Sequence, residues 1–218
     1  MGNKSAGHER SAERTAARSV QLPRAFLPGS LLVLEAIQAR RSVRDYSGEA
    51  LSLAEVATLL FATQGITSEE SWKKRAAPSA GALYPMETHL IVNRVTDLWP
   101  GHYRYLPEKH ELLLERPGEM GRELRRRTLH QPCLEEAAVV FVWTAVPARM
   151  AVKYGGRGIR YIYLEAGHIA QNLYLQGTAL GLGVVAIGAF DDDGLNELLE
   201  VDGQNECAVY LAAVGRAR

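Results

Sequence analysis

Three short stretches of this chain bring together side chains that could do chemistry. The first is Arg40-Arg41-Ser42-Val43-Arg44, which places three guanidinium groups and one hydroxyl within five positions. Arginine binds phosphate oxygens through two parallel hydrogen bonds, and a serine hydroxyl adds a compact donor. The stretch therefore indicates a phosphate clamp, with a solvated basic surface as the alternative interpretation.

The second stretch is a run of small residues between two prolines. Residues 77–85 read APSAGALYP and include Pro78, Ser79, Ala80 and Gly81. Because large side chains are missing, the backbone amides of such a run can approach a flat or bulky group closely. An ordinary tight connection between two elements is the alternative.

The third stretch is Lys153-Tyr154, which precedes a glycine-rich turn at residues 155–158. The turn is not a Walker loop, because no Gly-Lys-Ser/Thr follows it. The chain also lacks a CxxC motif, an HExxH motif and a credible Ser-His-Asp constellation, so neither a metal site nor a protein nucleophile is expected. His168 remains a secondary catalytic candidate.

The composition limits the classes of protein to which the chain can belong. Its 218 residues are 47% hydrophobic and 23% charged, which suits one domain with one sizeable core. The formal net charge is zero, so no overall field attracts nucleic acid or an anionic membrane. No apolar run is long enough for a secretory signal or a membrane span. Cys133 and Cys207 lack zinc-ligand spacing, which favours buried, reduced thiols and a cytoplasmic location.

A long helix followed by a core strand must position these stretches. Residues 161–180 have helical periodicity and are apolar on most sides, which is typical of a buried helix. The one narrow polar stripe consists of Glu165, His168, Asn172 and Gln176. The glycines at 181 and 183 can adopt left-handed conformations where the helix ends, and the β-branched residues 184–187 predict a buried strand.

The remaining pattern predicts an α+β domain over residues 30–218, with helices around one mixed sheet. Residues 1–29 are poor in large apolar groups and predict a mobile or docking arm. Ser30 is the expected N-cap of a helix that ends at Arg40, and Ser52 forms a capping box with Glu55 for the next helix. Strands are expected at residues 88–92, 103–106, 111–114, 137–145, 184–187 and 207–214, with further helices at 120–129 and after the three aspartates 191–193.

Five motifs follow one another in this chain: RRSVR at 40–44, APSAGALYP at 77–85, YRY at 103–105, EAGHIAQN at 165–172 and GLG at 181–183. Their order and spacing resemble the nitroreductase superfamily, and within it the SagB-type, azoline oxidase-like dehydrogenases. The resemblance covers residues 31–218. It implies a nitroreductase-like three-layer fold, in which a mixed central sheet is flanked by helices and the long helix forms a dimer interface.

The resemblance also implies a cofactor and its ligands. Proteins of this kind are homodimers with two FMN sites at the subunit interface, and both chains contribute to each site. The small-residue segment, usually from the partner subunit, lies against the isoalloxazine ring, and the segment after the long helix presents a backbone amide to flavin N5. The residues carried over are Arg40, Arg41, Ser42, Arg44 and Arg216 for the phosphate, Pro78, Ser79, Ala80 and Gly81 for the ring, and Ala186, Ile187 and Gly188 near N5.

SagB-type dehydrogenases carry a Lys-Tyr pair where Lys153-Tyr154 stands in this chain. The pair implies oxidation of thiazolines or oxazolines in a peptide to azoles, in cooperation with a cyclodehydratase. Lys153 would be the general base in its neutral form, and Tyr154 would orient or relay a proton. The alternatives are an NAD(P)H-dependent reductase of nitro compounds or quinones, which would take a small-molecule substrate, and a flavin-binding partner subunit without turnover.

Overall fold

The computed structural model describes residues 19–68 and 74–218 and contains a central seven-stranded sheet. Its strands are β1 (Ser19–Gln21), β2 (Met86–Val92), β3 (Gly101–Leu106), β4 (Glu111–Pro117), β5 (Val139–Ala145), β6 (Gly183–Ile187) and β7 (Cys207–Gly215). Across the sheet they lie in the order β1-β4-β3-β2-β5-β7-β6.

Helices cover both faces of this sheet. Within the described residues they are α1 (Val33–Ala39), α2 (Leu53–Gln64), α3 (Gly121–Arg127), α4 (Cys133–Glu136), α5 (Pro147–Tyr154), α6 (Gly158–Ala179) and α7 (Asp192–Leu198), with short 3-10 turns at Ala80–Ala82 and Gly155–Arg157. No described helix is both long and apolar enough to cross a membrane.

Alternation along the central strand β5 produces two cores. Val139, Phe141 and Trp143 enter a core that they share with α2 and α6, whereas Val140 and Val142 enter a second core that they share with α3, α4 and α7. Successive side chains of a strand point to opposite faces, so one sheet separates two helical layers. This arrangement confirms the predicted α+β class and the nitroreductase-like three-layer fold.

The six neighbouring strand pairs of the sheet are all antiparallel. β5 and β6 run in the same direction, but β7 lies between them, so each pairs with an antiparallel neighbour. The sequence predicted a mixed sheet, whereas in the structure every pair of neighbouring strands is antiparallel. Among the described residues, parallel pairing with a strand of this sheet is limited to an isolated bridge between Ser42 and Val184.

The N-termini of α1 and α2 are capped in different ways. α2 follows Ser52, whose hydroxyl accepts a hydrogen bond from Glu55 N (3.2 Å) while the Glu55 carboxylate accepts one from Ser52 N (2.8 Å), as the capping box predicts. The predicted Ser30 cap is wrong, because α1 begins after Leu32, whose N–H donates to a carboxylate three residues further on. Ser30 instead donates its hydroxyl to the carbonyl of Ala179 (3.2 Å) at the end of α6.

Part of the predicted N-terminal arm packs on the domain. Residues 1–18 lie outside the described residues. In residues 19–29, β1 pairs with β4, Leu22 is buried, and Phe26 stacks on Phe61 of α2 with 4.0 Å between the ring centroids. Strand pairing and two apolar contacts therefore attach residues 19–29 to the rest of the fold.

The long helix α6 is rotated relative to the predicted polar stripe. Glu165 is only 2% exposed, whereas Leu164 is 53% and Tyr163 is 63% exposed. Asn172 and Gln176 of the stripe donate to backbone carbonyls of α2 and of the N-terminal segment, respectively. One side of α6 therefore presents apolar side chains to the surface of the single chain.

Candidate functional site

The arginine segment lies along β6 at the edge of the sheet. The backbone N–H of Val43 donates to a carbonyl of β6 (3.0 Å), and Ser42 forms the parallel bridge with the same strand. Arg40, Arg41 and Arg44 form no ion pair with any carboxylate of residues 19–68 or 74–218. Three guanidinium groups without a carboxylate partner make this edge of the sheet positively charged.

Tyr174 of α6 connects the arginine segment to the end of β6. Its hydroxyl oxygen accepts a hydrogen bond from the backbone N–H of Ala186 (2.8 Å) and lies 3.0 Å from Ser42 Oγ. The Arg40 guanidinium lies over the Tyr174 ring, 5.0 Å from its centroid, which is within the range of a cation–π interaction. Tyr174 therefore holds the arginine segment and β6 against each other.

The three residues that were expected near flavin N5 lie at the end of β6. Ile187 is buried, Ala186 is half-buried and Gly188 is exposed. A Cβ added to Gly188 would approach only the ring of Tyr210, at 3.7 Å, so space remains beside the backbone. The backbone at this end of β6 is therefore accessible to a ligand.

Arg216 follows β7 and lies next to the arginine segment, but its guanidinium has another partner. Its backbone carbonyl accepts a hydrogen bond from Ser47 N (2.9 Å). Its side chain donates to Glu55 of α2 (2.8 Å), so part of its charge is neutralised. Arg218, which the sequence does not distinguish from Arg216 as a phosphate ligand, forms a more exposed ion pair with Asp45 (3.3 Å).

The small-residue segment and the Lys-Tyr pair form a second group. Gly81 has a φ of +65°, and a Cβ there would lie 2.9 Å from the Tyr154 hydroxyl and 3.0 Å from Lys153 Nζ. Glycine adopts this conformation without strain and leaves room for both side chains. Lys153 Nζ lies 5.5 Å from the centroid of the Tyr154 ring, which in turn packs edge-on against Tyr161 at 4.7 Å.

Glu165 supports the small-residue segment from α6. Its carboxyl group hydrogen-bonds to Ser79, whose Oγ accepts a hydrogen bond from the backbone N–H of Tyr84 (3.0 Å). Burial raises the pKa of Glu165 to about 7, although Ser79 and Arg75 oppose this shift. The second carboxyl oxygen, Oε2, has no hydrogen-bond partner in the described part of the chain. Glu165 is therefore a buried group that can be protonated near neutral pH, in contact with the small-residue segment.

The two groups contact α6 at well-separated positions. Tyr161 packs against the Lys-Tyr pair, and Tyr174 contacts the arginine segment. The two tyrosines are about 20 Å apart along the helix axis at 1.5 Å per residue. Glu165, which supports the small-residue segment, is closer to Tyr174, at nine residues or about 14 Å along the same helix. We call the two sets the arginine group (Arg40, Arg41, Ser42, Arg44, Tyr174, Ala186, Ile187, Gly188 and Arg216) and the lysine group (Pro78, Ser79, Ala80, Gly81, Lys153, Tyr154 and Glu165).

The arginine group has the chemistry that a phosphate ligand requires. The guanidinium groups of Arg40, Arg41 and Arg44, which have no carboxylate partner among the described residues, and the Ser42 hydroxyl provide donors for an anion beside an accessible backbone. A flavin-binding protein must bind an anionic phosphate and provide a donor near N5, and these residues fit both requirements. The assignment of each residue to a part of FMN stays a prediction.

The chain belongs to the nitroreductase family, because residues 37–216 match the model described as "Nitroreductase family". It is thereby an oxidoreductase of a flavin-dependent class. A protein of Methanocaldococcus jannaschii, whose name assigns it to the nitroreductases, is 41% identical over 177 residues, which cover 81% of this chain and 87% of that protein.

Solved structures share the fold. A protein of Anabaena variabilis, also assigned to the nitroreductases by its name, matches 92% of this chain with a TM-score of 0.80 and 33% identity, and this chain spans 42% of that longer chain. A chain of the E. coli microcin synthetase McbBCD complex, solved with truncated pro-MccB17 bound, matches with a TM-score of 0.72 and 20% identity. That match covers 100% of this chain and 85% of the other, and it concerns the fold alone.

Sequence reasoning missed Tyr174 and placed Glu165 on the wrong side of α6. Tyr174 lies among aliphatic residues, and only its hydroxyl could have indicated that this position needs a polar partner. Glu165 was assigned to a solvated stripe, but its helix packs so that the carboxyl group enters the domain below Ser79. Both residues act through contacts with segments far away in the sequence.

Proposed function

We propose that this chain is an FMN-dependent dehydrogenase of the SagB type that oxidises thiazolines or oxazolines of a peptide to azoles. The observation that carries the cofactor part of the proposal is the set of guanidinium groups of Arg40, Arg41 and Arg44 beside Ser42, none of which forms an ion pair with a carboxylate of the described residues. The likeness of fold to a chain of the microcin synthetase complex supports the subclass. In this chain Lys153 and Tyr154, which lie beside Gly81, are the candidate groups for proton removal.

In this proposal the arginine group binds the phosphate of FMN. Arg40, Arg44 and Ser42 donate hydrogen bonds to the phosphate, and Arg216 adds a cation whose charge Glu55 partly neutralises. The backbone at the end of β6 and the small-residue segment would hold the flavin ring, whose chemistry is transfer of a hydride.

The proposed assembly is a homodimer in which the arginine group of one chain completes the lysine group of the other. Two observations support it. Glu165 of the lysine group and Tyr174 of the arginine group are nine residues, or about 14 Å, apart along α6 of one chain, and α1, α6 and the residue before α1 carry a set of exposed apolar side chains. Exposed apolar side chains on the outer helices are typical of an interface, and a second copy of the chain would cover them. The set consists of Leu32, Val33, Leu34, Ile37, Ile159, Tyr163 and Leu164.

Oxidation of an azoline removes a hydride and a proton from neighbouring ring carbons, which leaves an aromatic azole. Bound FMN would supply the hydride acceptor. Lys153 in its neutral form would accept the proton, and Tyr154 would orient the substrate or relay that proton. The substrate ring forms by loss of water from a peptide, so a cyclodehydratase is the expected partner. The free thiols of Cys133 and Cys207 suit a reducing cytoplasm.

A second candidate function is the NAD(P)H-dependent reduction of nitro compounds or quinones. The 41% identity with a protein assigned to the nitroreductases favours it. The two functions differ in the compound that reduces the bound flavin under anaerobic conditions. Loss of the flavin absorbance on mixing with a thiazoline peptide would support the proposal, whereas loss with NAD(P)H and none with the peptide would support the reductase.

The shared site can be tested through flavin content, without any substrate. Arg44→Ala weakens the arginine group, and Gly81→Val disrupts the lysine group because valine is strained at a positive φ and would contact Lys153 and Tyr154. Co-expression of the two variants gives heterodimers in which one site carries both changes and the other carries neither. In a random mixture, flavin content should therefore reach about one quarter of the wild-type value.

Each variant alone should retain much less flavin than this mixture. Arg122→Ala removes an exposed arginine of α3 and, as the matched control, should retain the full flavin content. If the mixture holds no more flavin than the single variants, each site belongs to one chain and the shared site is wrong. A colourless wild-type protein that also fails to take up added FMN would contradict the cofactor assignment.

A further inference from the structure

A second cluster of ligand-forming side chains lies away from both groups, on strands β2, β3 and β4. His89 and His102 are completely buried, and the Glu115 side chain lies beside them with 26% of its surface exposed. The three residues have no recognisable spacing in the sequence. Arg104 of β3 pairs with His89 of β2 and with Leu113 of β4, and residues two apart in a strand share a face, so His102 and Glu115 lie on the same face as His89.

Three potential metal-binding atoms of this cluster converge. His89 Nδ1 lies 2.8 Å from His102 Nε2, and Glu115 Oε2 lies 3.6 Å from His102 Nε2 and 4.0 Å from His89 Nδ1. Zinc–ligand bonds of about 2.0–2.1 Å place neighbouring ligand atoms of a tetrahedral site about 3.3 Å apart. The three measured distances lie on both sides of this value, so side-chain shifts smaller than about 1 Å would form three corners of a tetrahedron.

Neighbouring residues orient two of these three atoms as the outer partners of a metal site do, whereas His102 Nδ1 has no hydrogen-bond partner in the described part of the chain. Glu206 Oε1 lies 3.0 Å from His89 Nε2 and can accept a hydrogen bond from the Nε2–H tautomer. In that tautomer the lone pair of Nδ1 is directed at the cluster. Arg104 donates to Glu115 Oε1 (2.9 Å), which leaves Oε2 available. A carboxylate behind a metal-binding histidine is a common arrangement in zinc sites. The carboxylates of Glu115 and Glu206 share the single guanidinium of Arg104, which leaves a net negative charge that attracts a cation.

We propose that His89, His102 and Glu115 bind a divalent transition-metal ion, and that the near-tetrahedral spacing of the three ligand atoms favours zinc. Water can occupy the fourth position on the partly exposed side of Glu115. β3 lies four strands from β6 in the sheet order, about 19 Å at 4.8 Å per strand. The ion therefore cross-links three strands of the sheet and takes no part in hydride transfer beside β6.

The test is a metal titration of the full-length protein after removal of metal with EDTA. Co²⁺ is the probe, because its tetrahedral complexes absorb at longer wavelengths than a flavin. We expect one Co²⁺ per chain, displacement by Zn²⁺, and a higher Tm with Zn²⁺ than without it. Glu115→Gln should weaken Co²⁺ binding at least about tenfold, and His102→Gln should abolish it.

Glu123→Gln is the matched control. Glu123 is exposed to a similar degree, 30%, and its carboxylate accepts a hydrogen bond from Arg116 (2.7 Å), so its replacement also breaks an arginine–glutamate pair. The control should bind Co²⁺ as the wild type does. Because Glu115 is partly exposed, its variant keeps the test decisive even if the buried His102 variant does not fold. Absence of stoichiometric Co²⁺ binding to the wild type, or equal affinity in the Glu115 and Glu123 variants, would overturn the metal site.

Discussion

Replacement of Glu165 by glutamine should reveal a buried carboxyl group that is protonated in the folded protein. Burial raises the pKa of Glu165 from 4.5 to about 7. The unfolded chain therefore loses this proton near pH 4.5, whereas the folded chain keeps it until about pH 7. Between these values the folded state binds more protons, so the stability that Glu165 contributes falls as pH rises. At about 1.36 kcal/mol per pKa unit, the total loss is on the order of 3 kcal/mol.

Urea unfolding of the wild type and of Glu165→Gln over about pH 4.5–8 measures this effect. Glutamine keeps the size of the side chain and can still bond to Ser79, but it does not titrate. The free energy of unfolding of the wild type minus that of the variant should fall by about 3 kcal/mol across the range. Glu197→Gln is the control, because it removes an exposed carboxylate of α7 instead of a buried one. A difference for Glu165→Gln that stays flat across the pH range would refute the argument that its carboxyl is protonated by burial.

Three further outcomes follow from the candidate site. Arg40→Ala should lower the flavin content of the purified protein, read from its visible spectrum, whereas Arg122→Ala should not. Tyr174→Phe removes the acceptor of the Ala186 N–H, so we expect urea unfolding to report a loss of about 1–2 kcal/mol together with weaker FMN binding. Unchanged values would contradict the connecting role of Tyr174. Lys153→Ala should retain flavin but lose azoline oxidation, and turnover of a thiazoline peptide by this variant would show that Lys153 is not the base.

The sequence alone determined most elements of this fold, because their signals are local. The capping box at Ser52 needs only the next few residues, and the apolar runs that became β5 and β7 need only their own side chains. Gly181 has a φ of +71°, as expected for the residue that ends the helical pattern. The order of the motifs at 40–44, 77–85 and 165–172 was likewise sufficient to predict the nitroreductase family, which the family model confirms.

Only the tertiary structure decided which polar side chains meet. Leu164 and Glu165 differ by a rotation of about 100° around α6, and packing against the Ser79 segment buries the charged residue and exposes the apolar one. The approach of His89 to His102 depends on the register of β2 with β3, which their separation along the chain does not encode. A periodic pattern fixes the type of an element, whereas its rotation and register are set by the neighbours against which it packs.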